Sequence, residues 1–211
     1  MTSVMVLYPL DDVATSVSAY FGDRIASALE EKGLEVIRFD TWKATRLLFQ
    51  LQQFVRPADF IVYSGHGNRD RWYGSLTMGG LIWPLIDLIN KGLLRDKLCY
   101  AIACRTGLQL GKEAPARAYL GWNVDVYVAL PMVERNYLED FLEAFMQVPL
   151  ALAEGKTARE AGQAFLARFT ELKRLYDASL DLWPNADFYS MAAENNMNGF
   201  EVLGDPEARI S

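Results

Sequence analysis

Three features of the sequence predict an α/β fold, a three-layer αβα sandwich around a mostly parallel central sheet. Short apolar runs rich in β-branched residues alternate with stretches of helical periodicity. Most of those runs are continuously apolar, the mark of strands covered on both faces. Proline, glycine or a capping side chain punctuates the junctions between them.

The elements follow in order. Val4-Met5-Val6-Leu7-Tyr8 reads as a buried strand stopped by Pro9. Asp12 is placed to cap the next segment, where Val13, Val17, Tyr20, Phe21, Ile25, Ala28 and Leu29 recur at helical spacing and Gly33 suits the position past the end. A second, less buried strand spans residues 34–39. A helix capped by Thr41 follows, with Leu47, Leu48, Leu51, Phe54 and Val55 along one side and Arg56-Pro57 ending it. The third strand, 59–63, empties into Ser64-Gly65-His66-Gly67. A loop and a short helix over 83–90 lead to a fourth strand, 97–103, which ends at Cys104-Arg105-Thr106-Gly107. A fifth strand is expected over 124–130, stopped by Pro131. Beyond Glu134 the pattern turns helical, through Tyr137, Leu138, Phe141, Leu142, Phe145 and Met146. Thr157 and Glu160 have capping-box spacing and start a further helix through Phe165, Phe169, Leu172 and Tyr176. A short strand and turn, 199–206, close the chain.

Composition bounds the rest. With 211 residues, 51% of them hydrophobic, the chain can bury a sizeable core, and one domain covering 1–211 is expected. A net charge of -6 argues against a nucleic-acid partner, which needs a basic footprint. Two cysteines and one histidine are too few for a disulfide framework or a zinc finger, so neither a metal nor another cofactor is expected. The opening residues carry no basic leader, and the longest apolar stretch, 81–89, is broken by Pro84 and Asp87. No membrane partner and a cytoplasmic location are the expectation.

Two apolar strands end in reactive side chains, His66 and Cys104. In an open parallel sheet, ligands bind beyond the carboxyl ends of the strands. Neighbouring strands lie about 4.8 Å apart, so an imidazole and a thiol leaving the same edge can face one pocket. Thiol chemistry needs such a neighbour, because the thiolate is the nucleophile. Gly67 is a candidate oxyanion donor through its N–H, together with the Cys104 N–H. Cys99, mid-strand and five positions earlier, reads as an inert core residue pointing to the opposite face.

A hydrophobic block ending in His-Gly (Phe60 to Gly67), then a second ending in Ala-Cys (Leu98 to Cys104), resembles the signature of the caspase-like cysteine peptidases of clan CD. That group spans caspases, legumains, gingipains, clostripain, separase and the CHAT domains. The segment Ala116 to Trp122, the helical pair from Phe141 to Ala164 with its Glu154-Gly155-Lys156-Thr157 hinge, and Val202 to Pro206 resemble gingipain-like and CHAT-like members in the same order. The interval from His66 to Cys104 is shorter than is usual there, and Ile102 stands where clostripain-like members carry an acid.

The resemblance implies a caspase-like fold and a cysteine endopeptidase acting on a peptide or protein substrate through a His66/Cys104 dyad. Cys104 would attack the carbonyl, and His66 would protonate the leaving amine. Asp11, Asp12 and Glu134, at the sheet edge that carries the dyad, are candidate substrate-binding carboxylates for a basic side chain. Asp12 has an equally good reading as a helix cap. Two alternatives stay open at this point. One is a caspase-like fold with a binding or assembly role and little hydrolysis. The other is a flavodoxin-like module for a ligand or partner, although the first βα turn, Pro9-Leu10-Asp11-Asp12, lacks the glycine of a phosphate cradle.

Overall fold

The computed structural model describes residues 3–10, 12–76, 82–129 and 136–210. In chain order the first half contains β1 (Ser3–Tyr8), α1 (Val13–Glu31), β2 (Glu35–Asp40), α2 (Arg46–Val55), β3 (Phe60–Ser64), β4 (Gly67–Asn68), β5 (Arg71–Leu76) and β6 (Ile82–Asp87). The second half contains β7 (Leu98–Ile102), α3 (Leu110–Glu113), β8 (Ala118–Trp122), α4 (Tyr137–Ala153), α5 (Ala158–Asp177), α6 (Ala186–Gly199) and β9 (Phe200–Gly204).

Six strands form the central sheet in the order β2-β1-β3-β7-β8-β9. All pairings are parallel except β8 with β9. The strand order reverses at β1, so α1 and α2 cover opposite faces, as right-handed crossovers require. The period of two along each strand sorts the core accordingly. Val4, Val6, Val62, Tyr100 and Leu120 pack with α1, α4 and α5 through Phe21, Phe141, Phe145, Phe165 and Phe169. Met5, Leu7, Ile61, Tyr63, Cys99 and Ala101 pack on the other face with Phe49, Trp72, Leu85 and Ile86. Each such side chain contributes about 1.5–3 kcal/mol by burial, and Trp122 adds ring contacts to Phe145, Phe165 and Phe200 on the first face.

Capping chemistry sets the helix starts. Asp12 and Thr15 form a capping box on α1, and Thr157 and Glu160 form another on α5. Gly33, in left-handed geometry at φ 79°, ends α1.

The structure corrects four expectations. The short helix over 83–90 is instead β6, which pairs antiparallel with β5 in a second, three-stranded sheet, β4-β5-β6. Short apolar runs do not distinguish strand from helix by period alone. Pro84, which has no N–H, sits where the β5–β6 register shifts. The cap of α2 is Thr45 rather than Thr41, which opens a 3-10 turn. The apolar stripe of α2 faces outward, with Leu47, Leu51, Phe54 and Val55 exposed, while Phe49 and Gln53 are buried. The β4–β6 sheet shares this face of the core with α2, and an Arg46–Asp87 ion pair at 3.0 Å ties the helix to β6.

The fifth central strand is β8, residues 118–122 and wholly buried, rather than 124–130. Residues 123–129 run alongside without joining a sheet, and the end of the expected strand lies outside the described residues. The structure also adds α6, over which the sequence reading placed no element. Among the described residues, no helix is long and apolar enough to cross a membrane.

Candidate active site

The imidazole of His66 sits just past the carboxyl end of β3, and the scaffold beneath it is aromatic. Tyr63 stacks on Trp72 with ring centroids 4.8 Å apart and planes within 1°. Trp72 Nε1–H donates to the Tyr119 hydroxyl at 2.9 Å. The Tyr63 hydroxyl lies 2.6 Å from the His66 carbonyl and 2.7 Å from the Tyr73 carbonyl, and its one proton serves either. The Gly65 N–H extends the β3–β7 ladder to the Ile102 carbonyl at 3.2 Å. A Cβ on Gly67 would meet Thr106 Cγ2 at 2.6 Å, Ala103 Cβ at 2.8 Å and the Cys104 carbonyl at 2.9 Å, so only glycine lets the two loops touch.

Cys104 leaves β7 one strand away. The following residue, Arg105, is left-handed at φ 58°, an uncommon state for a side chain of this size. The turn is held by the Arg105 N–H donating to the Val124 carbonyl at 2.8 Å and by an Arg105–Asp125 ion pair at 2.6 Å. The Val126 N–H donates to Cys104 Sγ at 3.4 Å. Burial is the main reason the Cys104 thiol is pushed above its ordinary pKa. The Val126 N–H works against that shift, as does Arg105, whereas Asp125 reinforces it.

His66 and Cys104 line one small cavity of about 130 Å³ with Ser18, Gly65, Ile102, Ala103, Val126 and Val128. Among the described residues no hydrogen bond joins the ring to the thiol. Larger grooves lie beside α2 (about 450 Å³) and between α5 and β9 (about 400 Å³), and neither is lined by a histidine or a cysteine. Cys99 is fully buried on the α2 face, where desolvation pushes its thiol up to about 12.

Asp12 joins the site in a way the sequence reading missed. Its Oδ1 accepts the Thr15 N–H at 2.7 Å as the cap of α1, and its Oδ2 lies 2.8 Å from His66 Nε2. The Thr15 N–H first, and His66 second, hold this carboxyl down at about 2. An ionised carboxylate only accepts, so Nε2 carries a proton and Nδ1 is the nitrogen free to exchange one. Each oxygen of Asp12 thus has a partner within the chain, while the side chain stays half exposed. The available signal was positional: β1 and β3 are neighbours, so the residues just past their ends meet.

The oxyanion candidates sit as follows. Tyr73 N–H donates to the His66 carbonyl at 3.0 Å, and Gly67 pairs with Trp72 one step on. Ladder bonds alternate in an antiparallel pair, so the Gly67 N–H points away from β5. Among the described residues, the Cys104 N–H has no hydrogen-bond acceptor. Asp11 and Glu134 lie outside the described residues. No cluster of three or more His, Cys, Asp or Glu able to hold a metal ion occurs among the described residues.

A reversed-order parallel sheet with this strand sequence and one antiparallel edge is the caspase-like fold. Solved structures agree. The crystal structure of the Arg-specific cysteine proteinase gingipain R (RgpB) superposes with a TM-score of 0.64 at 13% identity, covering 99% of this chain and 47% of that one. The complex of the Porphyromonas gingivalis RgpB pro- and mature domains gives 0.62 at 13% identity, covering 99% and 48%. The likeness is thus one of fold, and the chain spans about half the length of the chains it matches. No protein-family model and no curated protein matches the sequence.

Proposed function

We propose that this chain is a cysteine endopeptidase in which Cys104 is the nucleophile and His66 the general acid and base. The observation that carries the reading is that His66 and Cys104 line one cavity at the carboxyl edge of two adjacent parallel strands. In the first step Cys104 Sγ bonds to the peptide carbonyl carbon, its proton passing to His66 Nδ1. The carbonyl oxygen takes the negative charge beside the Gly67 and Cys104 N–H groups. His66 then protonates the amine nitrogen as the C–N bond breaks, leaving a thioester. Water, deprotonated by the same nitrogen, attacks the thioester, and the thiol and carboxylic acid are released. Asp12 acts as a positioning residue, fixing the tautomer that leaves Nδ1 available.

Cleavage after arginine or lysine is the preferred specificity. Gingipain R, whose fold this chain shares, is Arg-specific. The acids Asp11 and Glu134 flank the site in sequence, and the chain is acidic overall. With Asp12 engaged by His66, the charge-assisted contact falls to Asp11 or Glu134. The raised thiol pKa favours one competing reading, a caspase-like fold that binds or assembles with little hydrolysis. A panel of fluorogenic peptides bearing Arg, Lys, Asp or Ala before the reporter separates these. Turnover of the Arg and Lys peptides is expected. Preference for Asp overturns the specificity, and absence of turnover on all four supports the binding reading.

A further inference from the structure

The strip that walls the thiol, residues 123–128, is gripped on both edges, and the two grips follow the period of two of extended backbone. On the thiol side, even-numbered residues act: the Val124 carbonyl accepts the Arg105 N–H, the Val126 N–H reaches Cys104 Sγ, and Val126 and Val128 line the cavity. On the far side, odd-numbered residues are held by the end of α6. Tyr127 N–H donates to Asn196 Oδ1 at 2.9 Å, and Asn196 Nδ2 donates back to the Tyr127 carbonyl at 2.8 Å. Asn195 Nδ2 donates to the Asp125 carbonyl at 2.8 Å, and Asn123 N–H to the Gly199 carbonyl at 2.9 Å.

Asn196 is fully buried, and its main-chain carbonyl also accepts the Trp122 indole N–H at 2.9 Å. Its amide thus supplies the donor and the acceptor that a neighbouring strand would have offered Tyr127. Close packing completes the clamp: a Cβ on Gly199 would collide with the Val124 side chain.

We infer that Asn196 is a positioning residue for the nucleophile, holding the 123–128 strip so that Val126 and Val128 wall in the Cys104 sulfur and Val126 N–H meets it. This deepens the peptidase reading and rests on it for its catalytic meaning, while the clamp itself is a property of the thiol. Loss of the clamp has two opposed effects. It uncovers the sulfur, which lowers the thiol's pKa, and it withdraws a hydrogen bond that favours the thiolate. Burial is the larger of the two, so the uncovered thiol is the more reactive one.

The test is paired labelling of Asn196→Ala, read by mass spectrometry at each cysteine. Cys99, buried in the sheet, reports global opening in the same molecule. With iodoacetamide at pH 7.5, Cys104 is expected to label about tenfold faster than in the wild type, because the sulfur is uncovered and more of it is thiolate. Cys99 stays unlabelled. With a peptidyl acyloxymethyl ketone carrying arginine, Cys104 labelling is expected to fall about tenfold or more, because the strip no longer presents its wall. Cys99 and Cys104 accelerating together would mean a merely structural role and overturn the inference, as would unchanged iodoacetamide rates. Should Asn196→Ala fail to fold, Asn195→Ala, a half-buried residue gripping the same strip, is expected to move Cys104 in the same direction by about two- to threefold, and no change there is equally contrary. Failure of the peptidase reading looks different: the wild-type thiol would ignore the ketone while the iodoacetamide contrast between variant and wild type remained.

Discussion

His66 and Cys104 leave the same edge of the sheet one strand apart, yet they are held by opposite kinds of scaffold. Beneath His66 lies a buried stack of Tyr63, Trp72 and Tyr119, and the ring above it is 41% exposed and fixed through Asp12. The Cys104 turn has no such pedestal. Its sulfur is half-buried and bounded by main chain, from a left-handed Arg105 on one side to the 123–128 strip on the other. The imidazole thus rests on an aromatic base and a carboxylate, whereas the thiol is bounded by main chain.

Substitutions sharpen that contrast. The largest effect is expected at the sulfur: Cys104→Ala should lower peptide turnover about a thousandfold or more. Cys99→Ala, five residues away in the core, should leave turnover within about twofold and cost about 1 kcal/mol in denaturant melts. Next comes the imidazole's partner. Asn caps helices as well as Asp does, so Asp12→Asn spares the start of α1 while offering an amide donor to the protonated Nε2. It should cut kcat about ten- to a hundredfold with little change in Tm.

The same carboxyl has an acid signature. Its folded pKa, near 2, lies below the ordinary 3.8, so its contribution to stability is complete above about pH 4 and is lost as pH falls through 2. Asp12→Asn should flatten that part of an acid-unfolding curve. The pedestal gives a smaller effect. Trp72→Phe removes the indole donor to Tyr119 and should cost about 1 kcal/mol, lowering turnover by less than Asp12→Asn does. At the far end of the scale, Phe54→Ser on the outward stripe of α2 should change stability by no more than about 0.5 kcal/mol, measured by the same melts.

The fold was legible because burial on both faces writes itself into apolar runs such as Val4 to Leu7 and Phe60 to Tyr63. That His66 and Cys104 line one cavity was legible too, since the carboxyl ends of neighbouring parallel strands lie side by side. What escaped was encoded in partners rather than in periods. Asp12 carries an N-cap signal that conceals its second contact, because nothing local in Pro9-Leu10-Asp11-Asp12 points to His66. The 123–128 strip alternates like a strand, and its true partners are side-chain amides of α6, whose sequence, with Asn195, Asn196 and Met197, lacks a clear apolar stripe. Trp83 to Ile86 suits strand or helix equally until the β5 register is known. The stripe on α2 obeyed helical spacing, but period alone does not say which face meets the core.

Mapping the adduct of an arginyl acyloxymethyl ketone in the wild type and in His66→Ala tests the account most directly. The expected result is a single adduct on Cys104 that forms at least about a hundredfold more slowly without the imidazole. An adduct on Cys99, or one on Cys104 that forms equally fast in both proteins, would contradict it.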